Sequence, residues 1–434
     1  MTQAKAYRAA ILHSLGDPSV LGLDNSYAYY PDGILLVEQG HIRDIGPAPE
    51  VLARWPDSLA VSCYSDKLIT AGFIDTHLHY PQTEIIASYG EQLLDWLNHY
   101  AFPEEAKFAD PAHAHCLASF FLDELLRNGT TTALVFATVH KASIDAFFSE
   151  SERRNMRMIT GKVLMDRNAP AHLLDTVETG YTESKALIER WHQCGRQLYA
   201  LTPRFAPTSS REQLAMTGRL LQEHEGLYLQ THLSENKQEV NWVKSLFPER
   251  SGYLDVYDHF GLLGKRSIFA HALHLEPQEW QRVAETDSVL AFCPSSNLFL
   301  GSGLFQLERA QQQQIRVGLG TDVGAGTSFS MLTTLAEAYK VQQLQAYTLH
   351  PLQALYLATL GGAKALSLDD KIGNLAVGKE ADFLVLDLQA TPLIEKRMAN
   401  AQSLLEQLFI LIMLGDDRVI AETYIYGTCQ YRRA

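Results

Sequence analysis

Short apolar runs alternate with longer amphipathic stretches through the middle of the chain, from about residue 68 to about residue 365. The short runs are rich in β-branched residues, which is typical of buried strands, whereas the longer stretches are typical of helices. Eight short runs predict strands: Gly72–His79, Thr131–His140, Arg157–Asp166, Leu198–Ala206, Leu227–Glu235, Ser267–His274, Ser288–Ser295 and Arg316–Val323. Between them the pattern predicts helices, such as Pro111–Asn128, Glu183–Gln193, Ser210–His224 and Asn236–Leu246.

Eight repeats of strand and helix predict an α/β fold, a closed (β/α)8 barrel of the TIM type. An open doubly wound sheet is the alternative. Its usual glycine-rich dinucleotide fingerprint is missing from this sequence, which favours the barrel.

Short strand patterns separated by turns return at both ends of the chain, as in Gly33–Ile42, Ala381–Asp387 and Glu422–Gly427. Neither end has enough strands for a stable sheet of its own. We therefore expect one small β-sandwich domain built from both termini. The expected domains are residues 1–67 (first part of the small domain), 68–371 (barrel) and 372–434 (second part, with a terminal helix).

Several predicted strands end in residues that bind metals or transfer protons. The first ends in His77 and His79, and residues i and i+2 of a strand face the same side. Later strands end at His232, His271 and Asp322. Because the carboxyl ends of barrel strands meet at one face, we expect these side chains to lie together there.

Zinc in a catalytic site takes three or four nitrogen and oxygen ligands and keeps one position open for water. His77, His79, His232 and Asp322 can supply such a set. For a single histidine, an ordinary structural role is the better interpretation; it is the combination of four strand ends that favours a metal. A different kind of catalytic zinc site carries HxE and PCxxC motifs, and this pair of motifs is absent from the sequence.

Composition narrows the possible partners. The net charge is −14 and no basic run occurs, so neither a nucleic-acid polymer nor an anionic membrane is an expected partner, although a free nucleobase is not excluded. Five scattered cysteines without a CxxC pair, and no apparent signal peptide, favour a cytoplasmic protein with reduced thiols. The longest apolar run, Leu408–Leu414, is far shorter than the ~20 residues of a membrane helix.

The strand-end residues and the segment Gly373–Asp382 resemble the amidohydrolase superfamily, over roughly residues 68 to 420. Within that superfamily the chain is most similar to the enzymes that deaminate guanine. Six further motifs carry this similarity: Asn128–Ala133, Thr202–Phe205, Thr231–Asn236, Cys293–Leu298, Gly318–Val323 and Leu414–Arg418.

The resemblance implies a zinc enzyme that converts guanine and water to xanthine and ammonia. It implies that Asp322 contacts the metal and takes the proton of the water, and that Glu235 protonates a ring nitrogen. A capping role at the next helix is the alternative for Glu235. His271 is expected to orient the water through a hydrogen bond, with direct metal ligation as the alternative; the nearby His274 is less favoured by register.

The resemblance also implies the residues that hold the substrate. Arg204 offers donors to O6 of guanine, Phe205 packs against the ring, and Gln82 both donates and accepts. His232, Glu235 and Asp322 are expected to contact the substrate as well. A surface arginine, a core phenylalanine and a loop glutamine are the plain alternatives.

We expect one zinc per chain. Members of the superfamily with two metals often bridge them with a modified lysine from the fourth strand, and Leu198–Phe205 contains no lysine. Lys162, on the third predicted strand, is interpreted as structural. A homodimer is expected from the resemblance. The alternatives are a relative that acts on another aminated ring, such as a pterin or a triazine, and a barrel that has lost catalysis.

Overall fold

The computed structural model describes residues 4–56, 58–90 and 92–434. Within these ranges the strands are β1 Lys5–Ser14, β2 Tyr27–Glu38, β3 His41–Pro47, β4 Ala60–Ala71, β5 Phe73–His79, β6 Thr130–Phe136, β7 Arg157–Gly161, β8 Val163–Leu164, β9 Leu198–Pro203, β10 Tyr228–Leu233, β11 Ser267–His271, β12 Val289–Phe292, β13 Arg316–Leu319, β14 Phe383–Asp387, β15 Ile420–Ile425 and β16 Thr428–Arg432.

The α-helices are α1 Pro18–Leu21, α2 Ala48–Leu52, α3 Leu93–Trp96, α4 Phe102–Ala106, α5 Pro111–Arg127, α6 Lys141–Arg153, α7 Val177–Trp191, α8 Arg211–Glu223, α9 Lys237–Leu246, α10 Tyr253–His259, α11 Pro277–Glu285, α12 Pro294–Phe299, α13 Leu307–Gln312, α14 Met331–Gln343, α15 Pro351–Leu357, α16 Leu360–Ala365, α17 Pro392–Met398 and α18 Leu404–Leu414. Shorter 3₁₀ turns cover Tyr80–Ile85, Lys107–Ala109, Ala171–Leu173, Ala206–Thr208 and Asp417–Val419, and a π turn covers Leu97–Ala101.

The predicted barrel is confirmed. Its strands pair in parallel in the order β5, β6, β7, β9, β10, β11, β12 and β13. Backbone hydrogen bonds bring the two ends of this path together: Asp322 N donates to His77 O at 2.9 Å, and His79 N donates to Val323 O at 2.8 Å. This contact places the residue that follows the last strand beside the histidines of the first.

The third barrel strand is interrupted at Lys162, so β7 is followed by the short β8. The backbone N–H of Lys162 donates to the hydroxyl of Tyr199, and its buried ammonium group pairs with Asp175 at 2.7 Å and Glu183 at 3.1 Å. These two carboxylates balance the charge of the buried lysine, which agrees with the interpretation of Lys162 as a structural residue.

The predicted small domain from both termini is also confirmed. Its seven strands follow one path, β16-β15-β14-β4-β1-β2-β3, in which only β1 and β4 are parallel neighbours. The sheet is curled, so that its two ends come together. The turn between β2 and β3 at Gly40 contacts the ring of Tyr426, which follows β15. Tyr7, Phe383 and Tyr424 pack together in its interior. The exact domain boundaries stay a prediction.

A buried ion pair network joins the barrel to the small domain. Arg196, just before β9, donates to Glu380 at 2.6 Å and also pairs with Asp382. Arg157 of β7 binds the same Glu380. The network therefore fixes the second part of the terminal sheet against the amino-terminal end of two barrel strands.

The connection from β5 to α5 packs over the barrel mouth as several short helical turns. The sequence left open whether the apolar segment from Leu93 to Tyr100 covers a pocket or meets a partner; Leu93, Trp96 and Leu97 line the pocket described below. Across the described ranges, every helix is too short or too polar to span a bilayer.

Candidate active site

The four predicted metal ligands meet at the carboxyl end of the barrel. His77 and His79 share a face of β5, and Nε2 of His79 lies 3.2 Å from Nε2 of His232 at the end of β10. Oδ1 of Asp322 lies 3.3 Å from Nε2 of His77 and 3.5 Å from Nε2 of His79. Parallel strand topology therefore gathers residues that are up to 245 positions apart in the sequence into one cluster.

The protonation of this cluster suits a metal. Burial lowers the pKa of His77, His79 and His232 well below the usual histidine range, so these imidazoles are neutral at neutral pH. Nδ1 of His232 donates to the carbonyl of Arg204 at 2.7 Å, which leaves a lone pair on its Nε2. Nε2 of His77 is buried without a hydrogen-bond partner among the described residues. Neutral imidazole nitrogens and a carboxylate oxygen are the ligands that zinc takes in catalytic sites, so the residues fit this ion.

His271 lies between the two candidate proton carriers. Its Nε2 is 3.5 Å from Oε2 of Glu235 and 3.8 Å from Oδ2 of Asp322. Its Nδ1 donates to Oδ1 of Asn297 at 2.8 Å, so the lone pair is on Nε2, which faces the cluster. His274 is turned away and binds the carbonyl of Ser302. Asn297, which the sequence did not single out, thus fixes the tautomer of His271.

Glu235 and Asp322 are both buried carboxyl groups. Burial, reinforced by the negative charge of Asp322, raises the pKa of Glu235 well above its usual range, which favours the protonated form of this group. Burial also raises the pKa of Asp322, an effect that the neighbouring His271 opposes. The pair therefore combines a proton donor with a carboxylate that readily accepts a proton.

Three residues at these strand ends have a strained backbone. Ser234, His271 and Asp322 have φ angles of 48°, 71° and 53°, which is the left-handed region that residues other than glycine seldom adopt. Such strain is typical of active sites, where the surrounding structure holds it in place. Each of these three residues lies at or just beyond the carboxyl end of a barrel strand.

The predicted substrate-binding residues line the same pocket. Arg204 and Gln82 are both buried and both bind Glu105, a residue that sequence reasoning missed. Phe205 belongs to the apolar wall of the pocket, together with Leu93, Trp96, Leu97, Leu300 and Ala325. The pocket is thus a mainly apolar slot with a polar edge, which suits a flat heterocycle.

A cysteine also belongs to the cluster. Donor atoms of His77, His271, Cys293 and Asp322 lie within 4.8 Å of one another. Burial raises the pKa of the Cys293 thiol well above its usual range, so the group is an uncharged thiol. The sequence analysis included it in the motif Cys293–Leu298 but assigned it no role.

Comparison with known proteins agrees with this geometry. The sequence model of the amidohydrolase family matches residues 68–429. The guanine deaminase of Escherichia coli (strain K12) is 56% identical over 405 residues, which is 93% of this chain and 92% of that protein. A solved structure of E. coli guanine deaminase superposes with a TM-score of 0.97 at 54% identity, over 99% of this chain and 100% of that one.

A more distant solved structure is guanine deaminase from C. acetobutylicum with guanine bound in its active site. It has a TM-score of 0.89 and 28% identity, over 99% of this chain and 100% of that one. The chain therefore belongs to the amidohydrolase family, in its guanine deaminase group.

Proposed function

We propose that this protein hydrolyses guanine to xanthine and ammonia. The observation that carries the proposal is the polar edge of the pocket. There, Arg204 and Gln82 line the same pocket as three of the four predicted metal ligands. Arginine only donates hydrogen bonds, so it suits the O6 acceptor of guanine, and the carbonyl of Gln82 suits the neighbouring N1–H. The 56% identity to a guanine deaminase over most of both chains supports the same substrate.

We infer one zinc ion per chain, held by His77, His79, His232 and Asp322. When bound, zinc supplies positive charge that stabilises developing negative charge and lowers the pKa of water from ~15.7 toward ~7. A single ion is supported by β9, which contains no lysine that could bridge a second one. The measured zinc content of the purified protein tests this number.

The side chains of the protein account for the proton transfers. Asp322 accepts the proton that the attacking water loses as its oxygen adds to C2 of guanine. Glu235, which is protonated, gives its proton to the ring nitrogen next to C2 and so makes that carbon more electrophilic. His271 orients the water by accepting a hydrogen bond at Nε2. Asp322 then gives its proton to the amino group on C2, which leaves as ammonia, while the new hydroxyl group on C2 gives its proton to Glu235 and becomes the C2 carbonyl of xanthine.

A substrate panel tests the proposed reaction. Guanine, adenine, cytosine and a pterin are incubated separately with the zinc-loaded protein, and ammonia release is measured. We expect release from guanine and a formation of xanthine that matches it mole for mole. Equal release from the pterin, or none from guanine, would contradict the proposal.

We propose a homodimer from the resemblance of the sequence, and a cytoplasmic location from its five scattered cysteines without a CxxC pair. Light scattering during size-exclusion chromatography tests the first, and cell fractionation tests the second. A single species with the mass of one 48.5 kDa chain would exclude a stable dimer.

A further inference from the structure

A carboxylate that has no part in the hydrolysis lies behind the substrate-recognition residues. Glu105 belongs to the five-residue helix α4 and is 1% exposed. Its two oxygens accept hydrogen bonds from Nη1 of Arg204 at 2.8 and 2.6 Å, and one of them also accepts from Nε2 of Gln82 at 2.9 Å. One buried carboxylate therefore holds both residues of the polar edge.

Glu105 occupies only one nitrogen of Arg204. Neither Nε nor Nη2 of this arginine donates to any other residue in the described part of the chain, so these donors are available to a ligand in the pocket. Phe102, from the same helix, lies beneath the guanidinium group, with 5.2 Å from its ring centre to Cζ. Helix α4 thus holds the guanidinium group through two side chains, Glu105 and Phe102.

Glu105 also determines how the amide of Gln82 is turned. A carboxylate paired with an arginine only accepts hydrogen bonds, so Gln82 has to present its NH2 group to it. The carbonyl oxygen of Gln82 consequently accepts no hydrogen bond from the described residues and is available to the pocket. Without the carboxylate, the amide would be free to rotate and to present its NH2 group instead.

We propose that Glu105 is a positioning residue that selects guanine by fixing Arg204 as a donor and Gln82 as an acceptor. This order complements the O6 acceptor and the N1–H donor of guanine. The inference rests on the proposed function, because it concerns how that substrate is recognised. It predicts that the effect of Glu105 depends on the O6/N1 edge of the base and on no other part of it.

The purine 2-aminopurine isolates that edge, because it keeps the amino group at C2 but lacks O6 and has a lone pair at N1. The test compares kcat/KM for guanine, per zinc-loaded chain, with the Kd of 2-aminopurine measured by its fluorescence. A Glu105→Gln variant should lower kcat/KM for guanine by about 100-fold, as is typical of misplaced substrate-positioning groups. The Kd of 2-aminopurine should change by less than about threefold, because this base does not use the ordered pair.

Glu104 provides a matched control. It is the adjacent residue of α4 and is also buried, but it pairs with Lys107 at 2.6 Å and is absent from the pocket lining. Glu104→Gln should leave guanine selection unchanged. Equal losses for guanine and 2-aminopurine in Glu105→Gln would overturn the proposal, because general structural damage weakens both.

Glu105→Asp covers the case in which Glu105→Gln does not fold. It keeps the charge beside Arg204 but withdraws the carboxylate by one methylene group, so guanine turnover should fall while 2-aminopurine binding is retained. Wild-type kcat/KM for guanine in Glu105→Asp would overturn the inference. Failure of the proposed function is distinct from this, since it would show as a wild-type protein that releases no ammonia from guanine.

Discussion

Nε2 of His79 and Nε2 of His232 lie 3.2 Å apart, although 153 residues separate them in the chain. The Nδ1 proton of His232 is held by a backbone carbonyl, so its Nε2 offers a lone pair to the same space. Two nitrogens at this distance, with Asp322 beside them, form a set of donor atoms that suits one cation.

Metal binding should therefore be necessary for activity and should contribute to stability. We expect about one zinc per chain by atomic emission, and loss of activity on treatment with a chelator. Because the ion binds the folded site, its removal should also lower the Tm, and added zinc should restore both properties. Two tightly held ions per chain would contradict the single-metal assignment.

Glu235→Gln should separate proton donation from the other roles of this residue. The amide keeps the shape of the side chain but cannot give up a proton in the same way. General acid–base groups contribute about 10²- to 10⁴-fold to the rate, so kcat should fall by that factor while zinc content stays unchanged. Turnover close to wild type would show that another group is the acid.

Glu239 caps the start of α9, close to Glu235. Its carboxylate accepts from the backbone N–H groups of Glu235 at 2.8 Å and Asn236 at 3.0 Å, and from the hydroxyl of Tyr253 at 2.7 Å. Burial raises the pKa of Glu239 from 4.5 to about 7. Between these values the folded chain binds a proton that the unfolded chain has lost, so this group makes the protein less stable as the pH rises.

A Glu239→Gln variant should remove that pH dependence. Between about pH 4.5 and about pH 7, the free energy of unfolding of the variant should rise relative to wild type by on the order of 3 kcal/mol, and the difference should be constant at higher pH. Urea unfolding at a series of pH values measures it. The exposed Glu285→Gln variant provides the baseline, and parallel pH profiles for Glu239→Gln and wild type would contradict the prediction.

The barrel was predictable because its strands are buried on both faces. All seven residues of β6, Thr130–Phe136, are buried, and the strand contains only β-branched and apolar residues, without a charge. Strand ends were less predictable. The fourth barrel strand, β9, was expected to reach Ala206 but ends at Pro203, and the next residue, Arg204, lines the pocket. The break at Lys162 depends on the hydroxyl of Tyr199, a partner that local sequence does not reveal.

The strand-end residues of the site were predictable for a related reason, since parallel topology alone brings His77, His232 and Asp322 to one face. Glu105 was not. It lies on a helix of only five residues, in a connection without a long periodic pattern, and its role depends on that helix packing back against Arg204. Such a contact arises only from tertiary structure.

Arg204 should determine the choice between guanine and adenine. Adenine presents an amino donor at C6, where guanine presents the O6 acceptor, so adenine would place donor against donor and leave the guanidinium group without a ligand partner. Adenine also lacks an amino group at C2. Sites built around such a hydrogen bond reject the wrong analogue by ~10⁴-fold or more.

We therefore expect ammonia from guanine and essentially none from adenine. Arg204→Ala removes the donors, and a hydrogen bond to a charged group contributes about 1.5–3 kcal/mol, so kcat/KM for guanine should fall at least ~10-fold with zinc retained. Arg204→Lys is the matched control for charge: it keeps a cation beside Glu105 but not the rigid fork of donors, so it should recover only part of the loss. Comparable rates on the two purines, or normal guanine turnover by Arg204→Ala, would show that the polar edge is not what selects the substrate.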